Sequence, residues 1–329
     1  MEKLIISFVL SLGCSLIFAP LIIKFAKKMK ASQTILQYVK EHSQKQGTPT
    51  MGGLIFMLPL LLVGILLLGK DSTLALITIA STFAFGIIGF LDDFIKIRYK
   101  QNLGLKPYQK IIGQVGISII LAVFVYNFIG GEIFLPFTLT KINLGFWIIP
   151  IVVFIYLATV NSVNLIDGLD GLSSGVSAQY LLGVVVYLLL FAQEMGFEGL
   201  KLAEIENLIL ICSVLLGSLI GFSLFNCFPA KIFMGDTGSL ALGGFLASVM
   251  IFSQNPLLIT TFGIMFVVTA LSDIIQVLIY KLKKKRVFKM APLHHHFQMC
   301  GVHENRIVVI YIVITAIFSL LTLFLTAVL

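Results

Sequence analysis

Charge is what this sequence has least of. Only 12% of its 329 residues are Asp, Glu, Lys or Arg, whereas 58% are hydrophobic. So few charges cannot cover a soluble domain of this length, which excludes an ordinary soluble enzyme and points to the membrane. Cysteine is nearly as sparse. Cys14, Cys212, Cys227 and Cys300 are scattered, three of them in or beside apolar runs, so neither a disulfide framework nor a cysteine metal site is encoded. No low-complexity tract or long linker interrupts the chain, which leaves room for one transmembrane catalytic domain, 1–329, and none for a soluble one. A small-residue cleavage site is also missing near the start. The first apolar run continues past Cys14 to Lys24, Lys27, Lys28 and Lys30, and reads as a membrane span with its N-terminus outside.

Long apolar runs are what the sequence has in abundance. They fall at roughly 3–26, 51–69, 72–91, 110–129, 146–160, 171–193, 207–225, 237–253, 257–280 and 307–329. A helix needs ~20 apolar residues to cross a bilayer. The expectation is an all-α polytopic integral membrane protein with about ten transmembrane helices and both termini outside. The fifth run is short and is expected to extend into its flanks. GGEIFLPFTLTKINLG (130–145) combines Gly-Gly, Pro and alternating Thr/apolar residues, predicting a small external hairpin between spans.

Ten spans place alternate connections on two faces. Of the 23 Lys and Arg residues, 19 fall on the connections around 24–50, 92–110, 161–170, 226–236 and 281–306. Positive residues mark the cytoplasmic side, so this face is read as inside. The five histidines, Asp92, Asp93, Asp167, Asp170 and Asp236 share it, with Asp273 within two turns. A transporter gathers its ionisable groups near the midplane. Here they collect at one surface, which suits a site open to the cytoplasm and the lipid headgroups.

Four stretches on that face carry chemistry. GFLDDFIK closes the third span; Asp92 and Asp93 lie ~100° apart around a helix, so one can face a reacting centre and the other a cation or lysine. The plain alternative is a solvated helix end, although acids there oppose the helix dipole. NSVNLIDGLDGL (161–172) spaces Asn161, Asn164, Asp167 and Asp170 by three, and its glycines admit a ligand to the backbone. Asp170 could instead cap the sixth helix. FNCFPAKIFMGDTGSL (225–240) puts Asp236 at a helix start, as an ordinary N-cap or as a ligand for phosphate-bound Mg²⁺. KQGTPTMGG (45–53) sets Lys45 and Thr50 in a glycine-rich turn at the mouth of the second span, a weak signal alone.

MAPLHHHF (290–297) follows the basic run LKKKRVFK. Three consecutive histidines diverge, lack zinc-ligand spacing and sit beside positive charge, so an anion is the better guest than a cation. Imidazole, Lys and Arg donors suit phosphate oxygens. Lys283 to Arg286 alone would serve as a positive-inside anchor. Aspartates for a metal and for base duties, with His and Lys for diphosphate, make the equipment of metal-assisted phosphoryl transfer. Ten spans around such a site make one substrate a lipid.

GTPTMGG, LDDFIK, NLIDGLDGL, FMGDTGSL and MAPLHHHF, in this order along nearly the whole chain, resemble the bacterial phospho-N-acetylmuramoyl-pentapeptide transferase family of the polyprenyl-phosphate N-acetylhexosamine-1-phosphate transferase superfamily. GTPTMGG and the histidine string are the specific elements; the aspartate motifs fit the superfamily broadly. The resemblance implies Mg²⁺-dependent transfer of phospho-MurNAc-pentapeptide from UDP to undecaprenyl phosphate, forming lipid I and UMP for peptidoglycan, in the plasma membrane. It implies Asp236 as metal ligand, Asp92 and Asp93 as catalytic carboxylates, with Asp92 deprotonating or orienting the lipid phosphate. His294, His295 and His296 then lie near the diphosphate or sugar, with His294 counted as catalytic. Lys45, Asn226, Phe233, Asp167 and Asp170 become nucleotide-pocket positions, with Phe233 stacking on uracil. Lys96, Lys100 and Lys110 approach the phosphates, and Thr50, Asn161 and Asn164 the substrate. A homodimer is implied by the resemblance alone, and no nucleic-acid partner. Gln298 and GVHEN (301–305) depart from the family's acidic residue and Gly-Trp, and Asp273 belongs to no motif.

A GlcNAc-1-phosphate transferase acting on the same lipid is the near rival, distinguished only by GTPTMGG and the histidines. A transporter or lipid scramblase is the distant one, and a receptor or scaffold would not need five aspartates on one face. Direct attack by the lipid phosphate and a covalent aspartyl intermediate both remain open.

Overall fold

The computed structural model describes residues 1–29, 47–99 and 104–329. Lys45 and Lys100 lie outside these residues. The helices are α1 (Glu2–Lys28), α2 (Leu54–Leu67), α3 (Thr73–Tyr99), α4 (Pro107–Phe128), α5 (Ile148–Ile166), α6 (Leu172–Phe191), α7 (Gly199–Asn226), α8 (Gly235–Phe252), α9 (Ile259–Phe262), α10 (Ile264–Lys283), α11 (Leu293–Met299) and α12 (Glu304–Val328).

Among the described residues nine helices are long and apolar enough to span, giving an all-α polytopic membrane protein. The run at 51–69 holds the shorter apolar helix α2, of 14 residues. The run at 146–160 does reach into its flanks: a 3-10 turn from Gly145 leads into α5, which continues to Ile166. The run at 257–280 is divided, because the chain leaves helical geometry at Gly263 between α9 and α10. Between α4 and α5, β1 (Glu132–Phe134) pairs antiparallel with β2 (Lys141–Asn143), with Ile133 opposite Ile142, forming the expected hairpin.

The centre of the bundle is α8. It is enclosed by α3, α5, α2 and α6, and 94% of its apolar window is buried. Its Gly, Ala and Ser content allows this, since small residues let membrane helices approach closely. At Gly89 of α3 a Cβ would stand 2.0 Å from the Asp236 carbonyl oxygen, so only glycine fits that crossing. α7 fills the gap between α1, α2 and α6. α1, α4, α10 and α12 keep broad apolar faces outward, as lipid contact requires. Alternating helix direction brings the C-terminal ends of α3, α5, α7 and α10 together with the N-terminal ends of α4, α6, α8 and α12. Every motif singled out in the sequence and described in the structure lies at that end.

Candidate active site

α3 does not end at the paired aspartates, as the sequence suggests; it runs on to Tyr99. The reason is Lys96, one turn after Asp92, which pairs with it at 2.5 Å and supplies basic charge to the last turn. Asp92 is buried, and its Oδ1 also accepts the Leu105 N–H at 2.8 Å, which fixes the start of α4. Asp93 has a different job. Its Oδ2 accepts from the Thr237 N–H (2.9 Å) and Thr237 hydroxyl (2.7 Å), and its Oδ1 accepts the Asp236 N–H (3.3 Å). A carboxylate on α3 therefore caps α8. Asp236 is not the cap; it sits in the first turn of α8, which begins at Gly235.

Freed from capping, the Asp236 side chain meets cations. Lys110 Nζ lies 2.6 Å and Lys96 Nζ 3.2 Å from Oδ2, while Oδ1 accepts from the Asn164 amide at 2.9 Å. Lys110 is also 3.7 Å from Asp92. Asn164 donates as well to Ser239 (2.8 Å), so α5 sets the rotamer of Asp236. Carboxylate oxygens of Asp92, Asp93 and Asp236 all lie within 4.8 Å of one another. Three hard oxygen donors with lysine ammonium groups between two of them form a place already arranged for positive charge, and their chemistry fits a Mg²⁺- or Ca²⁺-type ion. Asn161 is taken up elsewhere. It exchanges amide bonds with Gln114 of α4 (2.7 and 3.4 Å) and ties α4 to α5.

NLIDGLDGL is not one helical face. α5 stops at Ile166, Gly171 takes φ +78°, and α6 begins at Leu172, so Asn161 and Asn164 ride on α5 while Asp167 and Asp170 sit in a turn. Asp170 does not cap α6; its Oδ2 accepts the Ala230 N–H at 3.0 Å. Its own N–H donates to Glu304 Oε1 at 2.5 Å. Asn226 accepts from the Gly171 N–H (3.1 Å) and donates to the Ile232 carbonyl (3.0 Å). Phe233, half-buried, is fixed by its backbone to GTPTMGG: its N–H donates to Pro49 and its carbonyl accepts from Gly52, both at 2.8 Å. Thr50 beneath is buried with an unpaired hydroxyl. Three separated motifs are thus tied together by hydrogen bonds. Removal from water, then the negative charges of Asp236, Asp93 and Asp170, hold the Asp167 carboxyl well above the usual carboxylate range.

The histidines stand on α11 and divide. The imidazoles of His294 and His295 close on Gly168, where a Cβ would lie 2.5 Å from His294 Nε2 and 3.0 Å from His295 Nε2. His294 is fully buried with neither ring nitrogen hydrogen-bonded, and burial, then the charge of His295, hold it well below the usual imidazole range. His295 Nδ1 is 2.9 Å from Gln298. His296 turns the other way, accepting the Lys289 N–H at 3.1 Å. The divergence expected from three consecutive residues is observed.

Comparison with known proteins shows the family. The sequence model of glycosyl transferase family 4 matches residues 75–254, and the first phospho-N-acetylmuramoyl-pentapeptide-transferase signature matches 45–57. Proteins named phospho-N-acetylmuramoyl-pentapeptide-transferase align along almost their full length. One from Clostridium botulinum is 45% identical over 309 residues, covering 93% of this chain and 91% of its own. One from Clostridium kluyveri is 42% identical over 323 residues (97% and 98%), and one from Thermoanaerobacter sp. 39% over 325 (98% and 99%). The chain belongs to the phospho-N-acetylmuramoyl-pentapeptide-transferase family. Set against that family's motifs, the structure adds two groups the sequence does not single out, Gln114 and Glu304, and gives the first-turn Thr237 a partner in Asp93. Gln114 carried a signal, a lone amide in an apolar run. Glu304 carried none, because the turn it serves lies 134 residues away.

Proposed function

We propose that the chain, acting as a single transmembrane catalytic unit, transfers phospho-MurNAc-pentapeptide from UDP-MurNAc-pentapeptide to undecaprenyl phosphate with Mg²⁺, producing lipid I and UMP at the cytoplasmic face of the bacterial plasma membrane. What supports the reading above all is the Asp92–Asp93–Asp236 cluster threaded by Lys96 and Lys110, at the bundle end that carries most of the positive charge. The name of the relatives supplies the muramoyl-pentapeptide.

In this reading Asp236 holds the ion with Asp92 beside it. Bound there, Mg²⁺ supplies neutralisation of the donor's diphosphate. Asp92, aimed by Lys96 and the Leu105 N–H, orients and deprotonates the lipid phosphate. An oxygen of that phosphate attacks the phosphorus bearing the sugar. The bond from that phosphorus to the bridging oxygen breaks, and UMP leaves with the electron pair, its charge met by Lys96 and Lys110. Direct attack is favoured over an aspartyl intermediate by the surroundings of the acids: Asp92 is held by Lys96 and Leu105, Asp93 by α8, Asp236 by two lysines. None presents a free nucleophilic oxygen. Asn226, Asp170 and Phe233 form the nucleotide wall. His295 faces the sugar and phosphates across Gly168, with the buried His294 packed beside it.

The test is UMP release by purified protein in detergent with undecaprenyl phosphate, comparing UDP-MurNAc-pentapeptide with UDP-GlcNAc, with and without Mg²⁺. Release from the muramoyl donor alone, dependent on Mg²⁺ and lost in Asp236→Ala, is the expected result. Release from UDP-GlcNAc would move the protein to the GlcNAc-1-phosphate branch, and none from folded protein would overturn the reading.

A further inference from the structure

Asp273 has no place in the phosphate site, yet it lies in a cavity of its own. Asp273, Gln276, Val277, Tyr280 and Lys281 line one broad face of α10, at i, i+3, i+4, i+7 and i+8. The segment after α10 folds back over this face. Gln276 holds it there: its Oε1 accepts the N–H groups of Val287 and Phe288, both at 3.0 Å, and its Nε2 donates to the Phe288 carbonyl at 3.1 Å. Between helix, returning segment and the end of α11 remains a cleft of ≈ 640 Å³, within the size range of ligand pockets.

Charges of both signs line the cleft. Lys281, Arg286 and Lys289 contribute the positive ones, with Arg286 leaning on the Lys289 carbonyl (3.4 Å) and Lys289 Nζ on the Met299 carbonyl (3.1 Å). Asp273 lies eight residues back along α10, ~12 Å at helical rise. It is half-buried, and among the described residues it has neither hydrogen bond nor ion pair. The cleft also adjoins the histidine helix. Lys289 donates its N–H to His296, Phe288 packs edge-on against the same ring at 5.6 Å, and the two histidines before it face Gly168.

We infer that this cleft receives the peptide arm of the donor, with Lys281, Arg286 and Lys289 binding its carboxylates and Asp273 an ammonium group on one of its side chains. The inference rests on the proposed function and adds a specificity determinant to it. An extended pentapeptide spans up to about 17 Å, enough to reach from the cations to Asp273. A phospholipid fits less well: with its phosphate on the cations, its acyl chains rather than an ammonium would run toward Asp273.

The experiment measures KM and kcat by UMP release for two donors, UDP-MurNAc-pentapeptide containing one lysine and the same molecule with that amine acetylated. Wild type should prefer the free amine about tenfold in KM, the low end for a charged hydrogen bond at a half-exposed site, with kcat nearly unchanged. Asp273→Asn should erase the preference by weakening only the free-amine donor. Arg286→Gln should raise KM for both and leave UDP-MurNAc lacking peptide untouched. Indifference of wild type to acetylation, or a preference that survives in Asp273→Asn, would overturn the inference while leaving the activity in place. So would a defect of Arg286→Gln that appears only in vesicles of anionic lipid, which would make the cleft a headgroup site. No UMP from either donor with wild type would overturn the functional reading, and this inference with it.

Discussion

Asp93 offers a sharp test, because its geometry assigns it to the helix and its position in the sequence assigns it to the chemistry. Its carboxylate is fully buried and accepts three hydrogen bonds from the first turn of α8, at 2.7, 2.9 and 3.3 Å. Replacing it with Asn keeps the volume and one acceptor oxygen but turns an NH₂ toward N–H donors. A charge-assisted bond contributes ~1.5–3 kcal/mol and a lost cap ~1 kcal/mol. The two overlap here, so a loss of about 2–3 kcal/mol is expected. At roughly 2 °C per kcal/mol for a chain of this length, Tm should fall by about 4–6 °C. Asp236→Asn is the control. It leaves the cap intact and leaves two carboxylates facing the two lysines, so its Tm should fall less than that of Asp93→Asn while Mg²⁺-dependent turnover is lost. Thermal unfolding in detergent followed with UMP release on the same preparations decides the matter. Asp93→Asn that melts like wild type yet is inactive would refute the capping role and return Asp93 to the reacting phosphates.

Two further outcomes follow from groups at the same end of the bundle. His294 has its folded-state pKa below the ordinary 6.5, so the unfolded chain binds more protons as pH falls below that value. Its stabilising contribution is present above about pH 6.5 and lost beneath it; His294→Gln should therefore flatten the acid side of a Tm–pH curve, and an unchanged curve would count against it. Glu304 accepts the Asp170 N–H. Glu304→Gln keeps that acceptor and should hold KM for the UDP donor within about twofold, whereas Glu304→Ala leaves a buried donor unpaired, costing ~1–3 kcal/mol and raising KM by about tenfold. Equal damage from both would show that the charge matters, not the bond.

The membrane architecture was legible because burial in lipid writes itself into long apolar runs. The site face was legible because basic residues sort to one side, and because Asp92, Asp236, Asn164 and Asn226 are polar residues where the surroundings disfavour them. What sequence could not separate was role within a motif. Asp92 and Asp93 are adjacent and identical in type, yet a ~100° turn of helix sends one to Lys96 and the other under α8. Asp170 and Asp236 both looked like caps for the helices that follow them, the local arrangement a short carboxylate favours. Each was overridden by a partner far away in sequence, Ala230 for one and two lysines for the other. Pairings across the bundle leave no local trace.

The charge balance at the cluster then constrains how substrates enter. Three carboxylates face two ammonium groups, leaving one excess negative charge, while Asp167 beside them is held toward its neutral form. In that state the pocket repels a diphosphate. A divalent ion held by Asp236 would turn the balance to one positive charge, and would leave Lys96 and Lys110 available to incoming phosphate oxygens. Under the proposed function, metal and donor therefore bind with positive coupling, each strengthening the other, as reciprocal linkage requires. The lysines hold the acid cluster together before the substrates arrive and neutralise the phosphates afterwards, which is why they bridge Asp92 and Asp236 instead of pairing with one acid each.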